Sequence, residues 1–75
     1  MATTHRPLGQ LKPLAQSALA DSRIFDMRLL AVEVSEDTLV LRGAVGSFYH
    51  KQMAQELVRA IVGREVEVIN SITVR

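Results

Sequence analysis

The chain has 75 residues, of which 48% are hydrophobic, and 9 basic against 8 acidic residues leave a formal net charge of +1. This composition favours one small folded domain, and a charge so near zero, with 4% aromatic residues, excludes a nucleic-acid-binding surface as the expected function. The absence of cysteine excludes disulfides, thiolate metal sites and a cysteine nucleophile.

Residues 1–10 contain Pro7 and Gly9 and show no periodicity, so we expect a flexible N-terminal arm. No continuous apolar segment follows Arg6, as a secretory signal would require, and no apolar run approaches the ~20 residues that cross a bilayer. The sequence as given therefore predicts a cytoplasmic protein without a transmembrane segment. A periplasmic or envelope location applies if the chain is excised from a longer precursor.

The first periodic segment predicts a helix from Leu11 to Ala20, with apolar residues three and four positions apart. Pro13 fits the first turn of such a helix, where its missing N–H has no intrahelical partner. We expect Ile24 and Phe25, in the connector that follows, to fill the seam between the helix and a sheet.

Two alternating segments then predict a pair of strands. The first runs from Met27 to Val34, and the second contains Leu39, Leu41 and Val45 on one face. The polar stretch 35–38 has the length of a turn between antiparallel strands. Gly43 within the second strand predicts the close approach of another part of the chain, most simply a helix.

The rhythm changes after Gly46 to a helical one, which predicts a helix from Phe48 to Val62. Ser47 is placed to accept a hydrogen bond from the N–H of Tyr49 or His50 as the N-cap. Gly63 is the expected left-handed residue at the end of the helix.

Alternation returns from Glu65 to Arg75 and predicts a third, β-branched strand, in which Asn70 interrupts the apolar row and needs partners for its amide. The predicted fold is α+β, in the order αββαβ, with two helices packed on one face of a three-stranded sheet. Residues 11–75 form this single domain.

The combined order resembles the BON family, small αββαβ modules named for bacterial osmotically inducible and nodulation proteins. The resemblance covers about Leu11 to Val74. It is carried by Leu30, Val32 and Val34 in the first strand, Leu39, Leu41, Gly43 and Val45 in the second, Ala54 and Gly63 in the helix, and Val68, Asn70, Ile72 and Val74 in the last strand. The chain departs from the family pattern at Glu36 and Asp37, where a glycine is usual, and at Arg64, where an apolar residue is usual.

The resemblance implies a non-enzymatic binding or assembly module that associates with proteins, with copies of itself or with phospholipid surfaces. Independently, the residues indicate no catalyst, because Ser47 and His50 occupy the N-cap and N3 positions of a helix, and His50 and Glu56 do not share a helical face. No paired carboxylates, phosphate loop or spaced ligands indicate a metal or a cofactor, and His5 and His50 lie far apart.

Two surfaces are therefore candidates for binding. The first is the uncovered face of the sheet, where the alternation places Leu29, Ala31, Val40, Ala44 and Ile69 as an apolar strip for a protein partner or a second copy. The second is a basic rim of Arg42, Lys51, Arg59 and Arg64, in which Arg42, Lys51 and Arg64 are the candidate residues for an anionic phospholipid surface.

Overall fold

The computed structural model describes residues 7–75, and the first six residues, including His5, lie outside the described residues. The elements in chain order are α1 (Leu8–Ala20), α2 (Phe25–Arg28), β1 (Ala31–Ser35), β2 (Thr38–Val45), α3 (Phe48–Val62) and β3 (Glu67–Val74). The predicted α+β class and the αββαβ order are confirmed, with the short helix α2 added between α1 and β1.

The sheet has the order β1-β2-β3 and is mixed. β1 and β2 form an antiparallel hairpin in which Ser35 pairs with Thr38, so Glu36 and Asp37 are the loop. β2 and β3 are parallel and are connected through α3. The carboxyl ends of β2 and β3 therefore lie at the same end of the sheet, next to the N-terminus of α3.

The core lies between the helices and one face of the sheet. On β2, Leu39, Leu41 and Val45 are fully buried, as the alternation predicted. They pack in one cluster with the buried residues of the helices and the outer strands, which are Ala15, Leu19, Met27, Leu30, Val32, Ala54, Val58, Val68 and Ile72. Val34, predicted for the same face, lies at the margin and is 40% exposed.

Helix α1 begins earlier than predicted. Residues 8–10, which the pattern assigned to a flexible arm, belong to the helix, whose entry is made by Pro7 accepting hydrogen bonds from the N–H groups of Gln10 and Leu11. The interpretation of Pro13 as a first-turn residue is therefore wrong, because it lies inside the helix. Leu8 explains the earlier start, since it packs against the core and lies three and seven positions before Leu11 and Ala15, which are buried in the same stripe.

The prediction that β1 begins at Met27 is also wrong. Ile24, Met27 and Leu30 recur every three residues, and this spacing places all three on one side of the short helix α2 and its exit. Met27 is fully buried, whereas Phe25, predicted to fill the seam, is 62% exposed. Only Ile24 of that pair packs against the core.

Helix α3 has the predicted bounds. The Ser47 hydroxyl accepts a hydrogen bond from the His50 N–H at 3.1 Å, one of the two predicted N-cap bonds. Gly63 ends the helix with φ 83° and ψ −177°. The positive φ agrees with the prediction, but the extended ψ puts Gly63 in a region that is essentially glycine-only instead of the left-handed helical one.

Gly43 permits a close approach, but the neighbour differs from the predicted helix. Its φ is +133°, and a Cβ there would lie 2.7 Å from Leu30 Cδ2 and 3.4 Å from Leu30 Cα. Gly43 thus makes room for the segment that connects α2 to β1.

Candidate functional site

At the end of the sheet where β2 and β3 terminate, one carboxylate, that of Asp26, connects the surrounding elements. Asp26, on α2, accepts a hydrogen bond from the Gly46 N–H at 2.7 Å and contacts His50 Nδ1 at 3.1 Å, both through Oδ2. Its Oδ1 accepts from Arg75 Nη2 at 3.3 Å. Gly46 follows β2, His50 lies in the first turn of α3, and Arg75 follows β3. Asp26 therefore connects α2 to these three elements. We call these four residues the Asp26 clasp.

The surroundings of Asp26 favour its charged form. The hydrogen bond from the Gly46 N–H, and next the hydrogen bond with the His50 side chain, lower the pKa of this carboxyl below its ordinary value of 3.8. The positive charge of Arg75 lowers the pKa further, whereas burial of the carboxyl raises it by a smaller amount than the combined lowering. The Asp26 side chain is only 15% exposed, whereas Arg75 is 55% exposed. The carboxylate is therefore occupied by donors within the fold, which suits a structural role.

The three aromatic residues of the described chain lie at the ends of the helices that the clasp joins. Phe25 is the first residue of α2, and Phe48 and Tyr49 are the first two residues of α3. Phe48 is 75% exposed and Tyr49 is 70% exposed, similar to the exposure of Phe25. The Arg28 guanidinium lies 5.5 Å from the centre of the Phe25 ring, a cation–π distance. We call Phe25, Phe48 and Tyr49 the aromatic end.

The predicted basic rim does not form one site. Arg42 lies on the uncovered face of the sheet and donates from Nε to Glu33 Oε1 at 2.7 Å. Lys51 lies in the first turn of α3, and Arg64 lies beyond Gly63 at the other end of that helix. At 1.5 Å per residue, the two ends of α3 are ~20 Å apart. These cations therefore do not converge on a single headgroup.

The predicted apolar strip is also smaller than expected. Leu29 ends α2 and is not part of the sheet, although it is 53% exposed. Val40 is 5% exposed, because it lies in the central strand between Glu33 and Ile69, beside the Glu33–Arg42 ion pair. What remains exposed on this face is Ala31 and Ile69, with Ala44 half-buried.

Asn70 has the amide network that the sequence predicted. Its Nδ2 donates to the Lys51 carbonyl at 3.0 Å and to Gln55 Oε1 at 3.1 Å, which anchors β3 to α3. Its Oδ1 accepts from the Ile72 N–H at 3.2 Å. All polar atoms of this half-buried side chain have partners within the fold, and these bonds join β3 to α3. Asn70 therefore has a structural role.

Within residues 7–75, no group of three or more histidine, aspartate or glutamate side chains is arranged to hold a metal ion. None of the helices in that range is both long enough and apolar enough to cross a membrane.

Sequence reasoning missed both the clasp and the aromatic end. Asp26 lies between the predicted helix and the predicted first strand, and its partners are 20, 24 and 49 residues away, a separation that no local pattern reveals. The aromatic end left a weak signal. All the aromatic residues fall at the first positions of helices, outside the buried centres of the apolar stripes.

Comparisons with known proteins add no assignment. No protein-family model matches the chain, and no curated protein is significantly similar to it.

Proposed function

We propose that this domain is a non-catalytic binding module of the BON type, and that it binds a protein partner through the aromatic end. The observation that carries the proposal is the exposure of Phe25, Phe48 and Tyr49, each more than three-fifths exposed, at one end of a domain whose other apolar side chains are mostly buried. Large exposed apolar groups gathered in one region are typical of interaction surfaces.

The type of residue supports a protein partner. Aromatic and arginine side chains are the ones most enriched among residues that dominate binding energy, and a buried aromatic side chain removes ~150–250 Å² from water. The Arg28 guanidinium lies over the Phe25 ring, and Arg75 lies at the same end of the sheet with its side chain about half exposed. A complementary partner would present an apolar segment bordered by acidic residues.

The backbone that carries these rings is held in place. The Asp26 clasp joins the start of α2 to the start of α3, and the Ser47 hydroxyl caps α3 one residue before Phe48. A partner therefore meets rings on fixed helix ends, which lowers the entropy lost on binding.

A phospholipid surface is the second candidate, and the same observation supports it. Aromatic side chains beside arginines are the combination that inserts at the boundary between lipid headgroups and acyl chains. This candidate places the lipid contact at the aromatic end and not on the basic rim of Arg42, Lys51 and Arg64.

The test compares the double variant Phe25→Ser/Phe48→Ser with the control Leu14→Ser/Ile61→Ser. The control also removes two exposed apolar side chains, which are 40% and 43% exposed. Each immobilised domain is incubated with a lysate of the source organism, and the retained proteins are quantified by mass spectrometry. We expect the wild type and the control to retain one or more proteins that the Phe25→Ser/Phe48→Ser variant does not retain. The purified partner should then bind the wild type saturably in a titration.

Equal retention by the two double variants would contradict the proposal. Co-sedimentation with phosphatidylglycerol vesicles, compared with phosphatidylcholine vesicles, tests the second candidate. Binding to the anionic vesicles that is lost only in Phe25→Ser/Phe48→Ser would favour the lipid surface.

A further inference from the structure

The two outer strands of the sheet differ in how their free edges are protected. At β1, the side chain of Gln16 on α1 donates from Nε2 to the Leu30 carbonyl and accepts from the Val32 N–H through Oε1, both at 2.8 Å. The amide of Gln16 thereby takes the place of a peptide group in a neighbouring strand. β1 is also the shorter edge strand, so no second strand is expected to pair there.

The edge of β3 is longer and more open. The Arg75 N–H donates to the Val45 carbonyl on β2, and because successive residues of a strand point to opposite sides, Val68, Asn70, Ile72 and Val74 direct their backbone groups away from β2. Among these groups, the described hydrogen bond on the outer side is the one from the Ile72 N–H to Asn70 Oδ1. Residues 68–74 carry no charge and no proline, the features that usually protect an edge.

We propose that β3 pairs edge to edge with β3 of a second copy of this chain, antiparallel and centred on Ser71. The proposal is independent of the aromatic end, which belongs to other elements. A two-fold axis through Ser71, perpendicular to the sheet, joins the two sheets into one and keeps the helices of both copies on the same face.

The register follows from the strand itself. Residues whose backbone groups point away from β2 must pair with the same kind of residue in the second copy, and centring on Ser71 pairs Val68 with Val74 and Asn70 with Ile72. In this pairing, the Ile72 N–H exchanges Asn70 Oδ1 of its own chain for the Asn70 carbonyl of the second copy. This register uses the whole strand and brings Glu67 opposite Arg75, the residue after β3 in the other copy. The Arg75 guanidinium also donates to Asp26 of its own chain but is half exposed, so opposite charges lie near each other at both ends. The uncharged centre and the complementary ends favour a second copy over an unrelated strand.

Crosslinking tests the register directly, because the chain has no cysteine. Ser71 faces its own symmetry mate across a non-hydrogen-bonded pair with a Cα separation of ~4.5 Å, which a disulfide spans. We expect Ser71→Cys to form a covalent dimer under mild oxidation. Thr73→Cys, exposed on the same face, is the matched control, since its mate lies ~14 Å away in this register and should not crosslink.

Sedimentation equilibrium tests the association itself. The wild type should rise from 8.3 kDa towards twice that mass with increasing concentration. Ser71→Lys and Glu67→Lys should weaken the dimer at least tenfold, because each sets like charges opposite one another. Glu36→Lys, with the same charge change as Glu67→Lys but in the hairpin loop, should leave it unchanged.

A chain that stays monomeric at millimolar concentration would overturn the proposal. A dimer that Ser71→Lys does not weaken would also overturn it, as would crosslinking of Thr73→Cys as fast as Ser71→Cys. Circular dichroism confirms that each variant is folded. Dimerisation unaffected by Phe25→Ser/Phe48→Ser separates this result from the binding proposed for the aromatic end.

Discussion

Replacement of Gly43 by alanine tests how much the fold depends on one missing side chain. At φ +133°, a residue with a Cβ is strained by ~1–3 kcal/mol. The new Cβ would also lie 2.7 Å from Leu30 Cδ2, so the buried Leu30 side chain must shift, and we expect its displacement towards an off-rotamer geometry to cost a further ~1 kcal/mol. We therefore expect Gly43→Ala to lower the free energy of unfolding by about 2–4 kcal/mol.

This loss is large for so small a domain. At ~0.05–0.15 kcal/mol per residue, a chain of 75 residues has a total stability of about 4–11 kcal/mol. Each kcal/mol lowers Tm by about 4–8 °C in a domain of this size. Urea unfolding followed by circular dichroism measures the free energy directly, and thermal scans give an independent check.

Two further variants separate the backbone strain from the contact with Leu30. Gly63→Ala also suffers strain, at φ 83°, but its Cβ would meet nothing within 4 Å. Leu30→Val removes the Cδ atoms that Gly43→Ala would contact. We expect the cost of Gly43→Ala to fall by about 1 kcal/mol in the Leu30→Val background, and the cost of Gly63→Ala to stay the same there. If Leu30→Val leaves the cost of Gly43→Ala unchanged, contact with Leu30 is not part of the reason for glycine.

Three other substitutions probe the Asp26 clasp, the backbone of the hairpin loop and the protected edge of β1. Since the pKa of Asp26 is lowered in the fold, its carboxylate contributes stability that is complete above the unfolded pKa near 3.8 and is lost as the pH falls through the lower folded value. Asp26→Asn should therefore destabilise the domain at pH 7 and reduce the slope of stability below pH 4 in urea titrations; an unchanged slope would contradict this. Glu36→Gly should raise the free energy of unfolding by up to ~1 kcal/mol, because Glu36 has φ 54°, whereas Asp37→Gly should not. Gln16→Ala should cost about 1–2 kcal/mol and speed amide exchange at Val32, and unchanged exchange would show that its amide does not protect β1.

Local periodicity predicted the elements that bury a regular stripe. α3 was predicted to the residue, because Ser47 and Gly63 mark its ends and its apolar residues recur every three or four positions. The buried face of β2 was predicted correctly, because a central strand must bury one complete face, but the strand begins at Thr38, which was expected in the turn. The hydrogen-bond partners of the Asn70 amide were also predicted, because a polar side chain in an apolar row of a strand needs partners when it faces the core.

The failures came where contacts distant in sequence decide the structure. Alternation predicts a strand for the segment from Met27 to Leu30, yet the hydrogen bond that Asp26 accepts from the Gly46 N–H and the burial of Met27 stabilise a helical turn there. Val40 is buried by its neighbours on both adjacent strands, a property of strand order that alternation does not contain. The Asp26 clasp depends on the same kind of contact, so it is visible only in the fold.

The clasp has a consequence for the order of assembly. Its bond between Asp26 and Arg75 spans 49 residues, whereas the β1–β2 hairpin closes through a two-residue loop. Closing a long loop costs more chain entropy than closing a short one, so we expect the hairpin to form early and the clasp to form late. Substitutions at Asp26 should then accelerate unfolding while leaving the folding rate nearly unaltered, and the last residues of the chain should be the first to detach in the native state.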